Sequence, residues 1–444
     1  MQPARRRVLI VGGGYVGMYA ALEMQGELSR AGHELTLVNL ENYMQYQPFL
    51  PEVASGNIEP RHVVVPLRQI LKKTTVLVGE VRRIDHERRV ATVRTPNEED
   101  IEVPYDVLVL GAGSRSRVLP VPGLAEHGVG FKTVAEAIFL RNHVLSRLDA
   151  AAEEPDEDHR RGALTFVFVG AGYAGVEALA ELEDMARSAL HYYPSLHSDD
   201  MRWVLVEATS RILPELSPDL ATYVNSRLRV RGIEVLVNTT LESAEGGVMR
   251  LSNGMHFAAD TLVWTAGVKP EPLAARSNFP VDERGRVVVD EFLRVRGVED
   301  AWAAGDNAAV PDLATGGVSP PTAQHALRQA RRLGTNVIAS LGGEPVEPFR
   351  WRNLGQLASL GRFKGAAIVL GVKIKGFPAW FLHRSYHLWM MPTLNRKVRI
   401  VMDWTVGLLF PRDVAQLGSI HHPRDAFQRA AEGSSSGQPL SGSG

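Results

Sequence analysis

Gly12, Gly14 and Gly17 stand at G-x-G-x-x-G spacing in VLIVGGGYVGMYAALEM, and Gly170, Gly172 and Gly175 repeat it in FVFVGAGYAGVEALAEL. In each copy an apolar run precedes the glycines and a helix-forming run follows. That context suits a strand turning into a helix. One glycine makes the turn, one lets a pyrophosphate approach the backbone, and one lets helix and strand pack closely. The helix N-terminus then favours the phosphate charge. A single motif of this kind is a weak signal; two in the same context predict two dinucleotide sites. A carboxylate at the end of the next strand ordinarily binds the adenosine ribose hydroxyls. RWVLVEATSR offers Glu207, whose charge repels a 2′-phosphate and so predicts NADH over NADPH. HELTLVNLENY offers the neutral amide of Asn39, with Glu41 as the alternative partner.

Three further groups have chemical potential. Gly305 and Asp306 in DAWAAGDNAAV place an acid after an apolar strand, which suits the ribityl–phosphate part of a flavin. SPPTAQHALRQARRLG (319–334) predicts a helix capped by Ser319, with proline in its first turn. Its free amides and partial positive charge would stabilise negative charge developing on a flavin, with Ala323-Gln324 in the first turn and Arg328 one turn on. Glu177, just after the second fingerprint, reads either as a buried carboxylate near the nicotinamide or as an acid favoured by the helix dipole alone. The histidines show no metal spacing; His383/His387 and His421-His422 read as surface or interface polarity.

The elements that must position these residues are short, glycine-bounded apolar runs such as RVLIVGGG, YDVLVLGAG, LTFVFVGAG, RWVLVEA and TLVWTAG. They suit buried parallel strands alternating with helices, hence doubly wound α/β layers. Residues 150–162 (AAAEEPDEDHRRG) read as a connection, and the tail from about Glu432 reads as disordered. The chain has 444 residues, enough for two or three domains, and its net charge of −1 gives no case for nucleic-acid binding. It has no cysteine, which removes disulfides, thiolate metal sites and thiol nucleophiles. No run is apolar enough to span a bilayer, and the opening MQPARRRVLIVGGG lacks the apolar length and cleavage site of a signal peptide.

Together the fingerprints, VLVLGAGS, LVWTAGVKP and AWAAGD resemble the flavoproteins with two dinucleotide-binding domains, over roughly residues 7–330. The lack of cysteine sets aside the thiol-dependent members. NYMQYQPFLPEVASG (42–56), GAGYAGVEALAEL and PPTAQHALRQ are similar to the type II NADH dehydrogenases, the single-subunit NADH:quinone oxidoreductases. The resemblance implies two Rossmann-like domains plus a C-terminal amphipathic helical region. Its expected divisions are an FAD domain in two parts (1–125 and 281–347), an inserted NADH domain (126–280), a membrane-association region (348–428) and a tail (429–444). It implies FAD contacts from Gly12, Gly14, Gly17, Asn39, Gln47, Val81, Ala112, Gly113, Asp306, Ala323 and Gln324. NADH would be held by Gly170, Gly172, Tyr173, Gly175, Glu177, Glu207 and Gly267. Catalytic roles fall to Gln324, Glu177 and Arg328, with hydride passing from NADH to flavin and two electrons passing to a quinone. Where the family usually has a second glutamine four residues after the first, this chain has Arg328.

Between Arg350 and Arg412 there are eleven Lys/Arg and one acid, Asp403, with four of the seven tryptophans. Cations interleaved with Trp, Leu and Phe are the composition of helices lying in a membrane interface. Lys373, Lys375, Arg396, Lys397 and Arg399 would meet headgroups, and Trp380, Trp389 and Trp404 would sit at their depth. The expected location is the cytoplasmic face of the cell membrane. A homodimer interface is the competing use of the same surface, and the two can coexist. Two other functions remain open from the sequence: a soluble NADH-dependent reductase of a ferredoxin-type acceptor, and an NADH-binding redox sensor with little turnover.

Overall fold

Parallel pairing decides the architecture. In this computed structural model, which describes residues 5–351 and 355–417, two five-stranded parallel sheets share one plan. The first runs Ala301–Ala303, Val107–Leu110, Arg7–Val11, Glu34–Asn39, Thr75–Val78. The second runs Gly128–Gly130, Thr261–Trp264, Thr165–Val169, Arg202–Val206, Glu234–Leu236. Each has its fingerprint strand third and its ribose strand fourth. The central strands are apolar beyond their first residue because helices cover both faces; every residue of Thr165–Val169 is buried. The first sheet's edge strand, Ala301–Ala303, arrives only after the second sheet is complete. The first unit is therefore discontinuous and the second is inserted into it.

Two helices follow the fingerprints, Tyr15–Arg30 and Tyr173–Ala189. Helix Ala323–Gly342 crosses the first of these closely at Gly334, where a Cβ would stand 2.8 Å from that of Glu23. Its cap differs from expectation. Thr322 accepts the His325 amide, whereas the Ser319 amide bonds to Val310 O and the prolines lie outside the helix. The connection expected at 150–162 is also mostly helical. Helix Val134–Glu153 runs into it, and Asp156, just past Pro155, caps a second helix, Glu157–Ala163, by accepting the His159 amide.

The C-terminal region is more than helices. A three-stranded antiparallel sheet (Gly355–Ser359, Gly365–Val369, Val372–Lys375) precedes helices Phe377–Met390 and Leu394–Leu409. Lys373 does not face outward alone: it pairs with Asp219 of the second unit at 2.8 Å, and Lys375 lies over the Tyr223 ring. Arg412 pairs with Asp184 at 2.8 Å, and Arg231 donates to Leu360 O at 2.6 Å. The expected tail (429–444) and His421-His422 lie outside the described residues.

Candidate active site

The two fingerprints have the same backbone. Gly12 and Gly170 take positive φ (+96° and +106°), and a Cβ on either would press into the next strand's end at Gly111 or Ala266. A Cβ on Gly17 would collide with Gly12 O, and one on Gly175 with Gly170 O. Around Gly14 and Gly172, by contrast, a Cβ would meet nothing within 4 Å. Each unit thus has an open cradle at a helix N-terminus, the shape a pyrophosphate requires.

The ribose positions are also equivalent, and both side chains brace the loop beside them. Asn39 Oδ1 accepts the Gly13 amide at 2.7 Å, and Glu207 Oε2 accepts the Ala171 amide at 2.8 Å. Asn39 Nδ2 donates to the carbonyls of Glu41 (2.8 Å) and Tyr43 (3.3 Å), which leaves Glu41 contributing backbone here. Glu207 Oε1 accepts from the Thr209 amide and hydroxyl, both at 2.8 Å.

Asp306 sits where Gly111–Ser114 turns. Ser114 Oγ donates to Asp306 Oδ2 at 2.6 Å, Lys132 Nζ donates to Ser114 Oγ at 2.8 Å, and Gly113 N donates to Asn307 Oδ1 at 3.3 Å. Burial lowers the Lys132 pKa, while Asp306 and Glu136 oppose that shift. Gln47 Nε2 reaches Lys132 O at 3.5 Å, so Gln47, Ser114 and Asp306 are gathered around the half-buried Lys132. Val81 lies in strand Glu80–Asp85, two residues past Gly79, whose amide bonds to Asn39 O. On the second unit Gly267 (φ +89°) is exposed, in the turn leaving Trp264.

Ala323 and Gln324 open their helix, and first-turn amides have no acceptor within a helix. Arg328 turns back on its own helix: it donates to Gln324 O at 3.0 Å and lies flat on Trp351, 3.6 Å from the ring centroid. Its neighbour Gln329 is buried and accepts the Gly305 amide at 2.8 Å, fixing the Asp306 turn.

Glu177 is buried, accepts the Ser359 amide at 2.8 Å and meets His383 Nε2 at 3.3 Å. One turn on, fully buried Glu181 accepts from Ser359 Oγ, Ser55 Oγ and Asn57 Nδ2 at 3.1–3.2 Å. Burial, then the nearby Glu52 carboxylate, pushes the Glu181 pKa up to about 7. Glu52 accepts from Arg384 and from Trp404 Nε1, both at 2.7 Å, and the Arg384 guanidinium lies between the Trp380 and Trp404 rings. Two of the tryptophans expected at headgroup depth therefore point inward, and only Trp389, 77% exposed, stands outside. The expected surface polarity of His383 and His387 is likewise corrected: His383 is buried, and His387 hydrogen-bonds Tyr46 Oη at 3.1 Å. Sequence reasoning also missed Ser114, Lys132, Gln329 and Glu181. Only the glutamate four residues after Glu177, on the same helix face, carried a local signal.

The residues present fit an FAD at the first cradle and an NADH at the second, since each cradle is open at its middle glycine and a ribose partner stands beside it. The fold and site define a flavoprotein with two dinucleotide-binding units. The profile of the family described as pyridine nucleotide-disulphide oxidoreductase matches residues 6–330. The chain is 30% identical to the type II NADH:quinone oxidoreductase Ndh of Mycobacterium tuberculosis, over 92% of this chain and 89% of that protein. It is 31% identical to a type II NADH:quinone oxidoreductase of Staphylococcus epidermidis, over 86% and 94% of the two chains. Its fold is similar to that of NDH2 from Plasmodium falciparum solved with NADH (TM-score 0.86, 17% identity, 93% of this chain and 100% of that one). The chain belongs to the pyridine nucleotide-disulphide oxidoreductase family and, within it, to the type II NADH:quinone oxidoreductases.

Proposed function

We infer that this chain oxidises NADH and reduces a quinone at a membrane surface. The observation that carries the reading is its pair of equivalent cradles, in a chain that aligns nearly end to end with enzymes named for that reaction. Gly12, Gly14, Gly17, Asn39, Gln47, Val81, Ala112, Gly113 and Asp306 hold FAD, with Lys132 and Ser114 added to them. Gly170, Gly172, Tyr173, Gly175, Glu177, Glu207 and Gly267 hold NADH, and the Glu207 charge disfavours a 2′-phosphate. When bound, FAD supplies the two-electron relay between NADH and quinone. The first-turn amides at Ala323 and Gln324 orient that relay and favour negative charge on it. Gln324 hydrogen-bonds either the flavin edge or the acceptor, and Glu177 positions the nucleotide. Arg328, held on Trp351, acts as a wall whose charge favours an electron-rich acceptor.

Docking to the membrane is supported by the outer face of the last two helices. Phe377, Phe381 and Trp389 on one, and Leu394, Val398, Met402, Val406 and Leu409 on the other, are each at least 50% exposed. Arg396, Lys397 and Arg399 flank this face. Removing one large apolar side chain from water is worth roughly 1.5–3 kcal/mol, so a few inserted residues suffice for reversible binding. Among the described residues no helix is long and apolar enough to cross a membrane. The surface therefore lies on the bilayer, on the cytoplasmic side where NADH is available.

The test of the reaction is steady-state NADH oxidation with short-chain ubiquinone and menaquinone analogues, with ferredoxin as the competing acceptor. Turnover with quinone is expected; turnover with ferredoxin alone would sink the reading. For docking, Val406→Glu/Leu409→Glu protein should stay in solution when phosphatidylglycerol vesicles float the parent protein. A change in oligomer mass with no change in flotation would assign the face to a dimer.

A further inference from the structure

Both chain crossings between the two units pair in one short ribbon. Ser114–Ser116, leaving the first sheet, lies antiparallel to Val268–Pro270, returning from the second. The register sets Ser114 against Pro270, Arg115 against Lys269 and Ser116 against Val268. The Arg117 amide continues the pairing by donating to Gly267 O at 3.1 Å. Side chains alternate across a strand, so Arg115 and Arg117 share a face with Lys269 and the two serines take the other. The serine face is occupied: Ser114 Oγ holds Asp306, and a Cβ on Gly130 would stand 3.5 Å from Ser116 Oγ. The cation face is open. Arg115, Arg117 and Lys269 are exposed, and among the described residues no ion pair or side-chain hydrogen bond reaches any of them.

Like charges directly opposite each other destabilise an antiparallel pair. The backbone cannot spread to relieve Arg115 and Lys269, because the ribbon is tied at its ends. Trp264 Nε1 donates to Arg117 O at 2.8 Å, and the Glu271 amide donates to Gly113 O at 3.1 Å. The Glu271 side chain, two residues after Lys269, is engaged with Arg276.

The patch stands beside the second cradle. A Cβ on Gly170 would lie 2.7 Å from the Ala266 amide nitrogen, and Lys269 follows Ala266 by three residues, a span of at most about 11 Å. A charge reaches roughly 10 Å in about 0.1 M salt. The cradle itself presents the carboxylates Glu207 and Glu177, whereas the pyrophosphate of a dinucleotide is a dianion. Like charge at the cradle opposes the approach of that ligand, and cations at its rim offset the opposition.

We propose that Arg115, Arg117 and Lys269 form a capture patch that draws NADH to the second cradle by long-range attraction. The proposal rests on the NADH reading above. The negative charge of the arriving nucleotide also offsets the repulsion between Arg115 and Lys269. The patch acts on encounter and leaves hydride transfer as it is.

Ionic strength separates attraction at a distance from contact. Mixed with NADH in a stopped-flow instrument, the parent protein should bleach its flavin with a second-order rate constant that falls steeply as salt rises. In Arg115→Gln/Arg117→Gln/Lys269→Gln protein that constant should be roughly tenfold lower in about 20 mM salt and within about twofold of the parent in about 0.5 M salt. Flavin content and the limiting bleaching rate at saturating NADH should match the parent at either salt. Binding of ADP-ribose, which has the pyrophosphate and no nicotinamide, should weaken by a similar factor in low salt only, followed by tryptophan fluorescence. The substitutions remove opposed charges, so this protein should melt no lower than the parent. Arg115→Lys/Arg117→Lys/Lys269→Arg protein should behave as the parent throughout. An unchanged second-order constant in low salt would overturn the proposal, and so would a loss that persists in high salt. Loss of vesicle flotation with an unchanged constant would give the patch to lipid headgroups instead. Flavin absorbance that NADH leaves untouched in the parent protein would defeat the NADH reading itself, and the patch with it.

Discussion

The two fingerprint units repeat one backbone and differ in what stands at matched positions. Tyr15 matches Tyr173, and both hydroxyls are buried without partners. Asn39 matches Glu207, Tyr19 matches Glu177, and exposed Glu23 matches fully buried Glu181. The first unit has a neutral amide and a phenol where the second has Glu207 and Glu177, and its one carboxylate of the set, Glu23, is exposed where Glu181 is buried. A ligand that stays bound needs a preorganised cradle. One that must arrive, react and leave needs charges that discriminate and protons that move. The difference accords with the proposed assignment of a resident nucleotide to the first unit and a travelling one to the second.

The comparison breaks most completely at the glycines. Gly17→Ala and Gly175→Ala each force a Cβ into a backbone carbonyl, where overpacking costs about 1–3 kcal/mol or more. The first should yield protein depleted of flavin by absorbance; the second should keep its flavin but bleach slowly with NADH. Next, Glu207→Gln removes a charged acceptor, worth about 1.5–3 kcal/mol, so KM for NADH should rise roughly 10- to 100-fold with kcat held, and preference over NADPH should shrink.

Glu181 allows a test by pH. Its folded pKa lies above its unfolded value, so the folded state holds the extra proton between about 4.5 and 7, and stability falls as pH rises through that window. Glu181→Gln should melt higher than the parent at pH 8, by up to about 3 kcal/mol, and nearly alike at pH 5. Glu23→Gln, at the matched exposed position, should leave the pH dependence of melting as it was. The smallest effect belongs to Asn39→Asp. It turns the Nδ2 donor toward two carbonyls into an acceptor, so stability should drop by about 1–2 kcal/mol in urea titrations, with flavin lost more easily on dilution.

What the sequence made legible was whatever a short window determines. The parallel strands followed from continuous apolar runs, and the two-unit layout followed from repeated strand–glycine–helix segments. That a helix runs through 323–334 was legible, its cap and start were not: Ser319 and Thr322 are both good caps, and the choice falls to Ser319 being drawn to Val310, which moves the start from the prolines to Ala323. The histidine pair misled for a related reason. An i, i+4 pair on an aromatic, basic helix looks like surface, and only Tyr46 and Glu177, hundreds of residues away in sequence, make it interior. Trp380 and Trp404 failed the same way, because Arg384 and Glu52 draw them inward. Composition gathered these rings into one region but could not say which of them face outward.

One consequence follows from the ties between the C-terminal sheet and the second unit. Ser359 satisfies Glu177 and Glu181, Arg412 neutralises Asp184, and Lys373 holds Asp219. Stopping the chain before residue 355 would strand at least two buried carboxylates, so such a truncation reports on misfolding rather than on membrane anchoring. Residues 355–417 and the inserted unit should melt together as one cooperative block. A pull on the last two helices would then be felt in the inserted unit before any part of the molecule came loose.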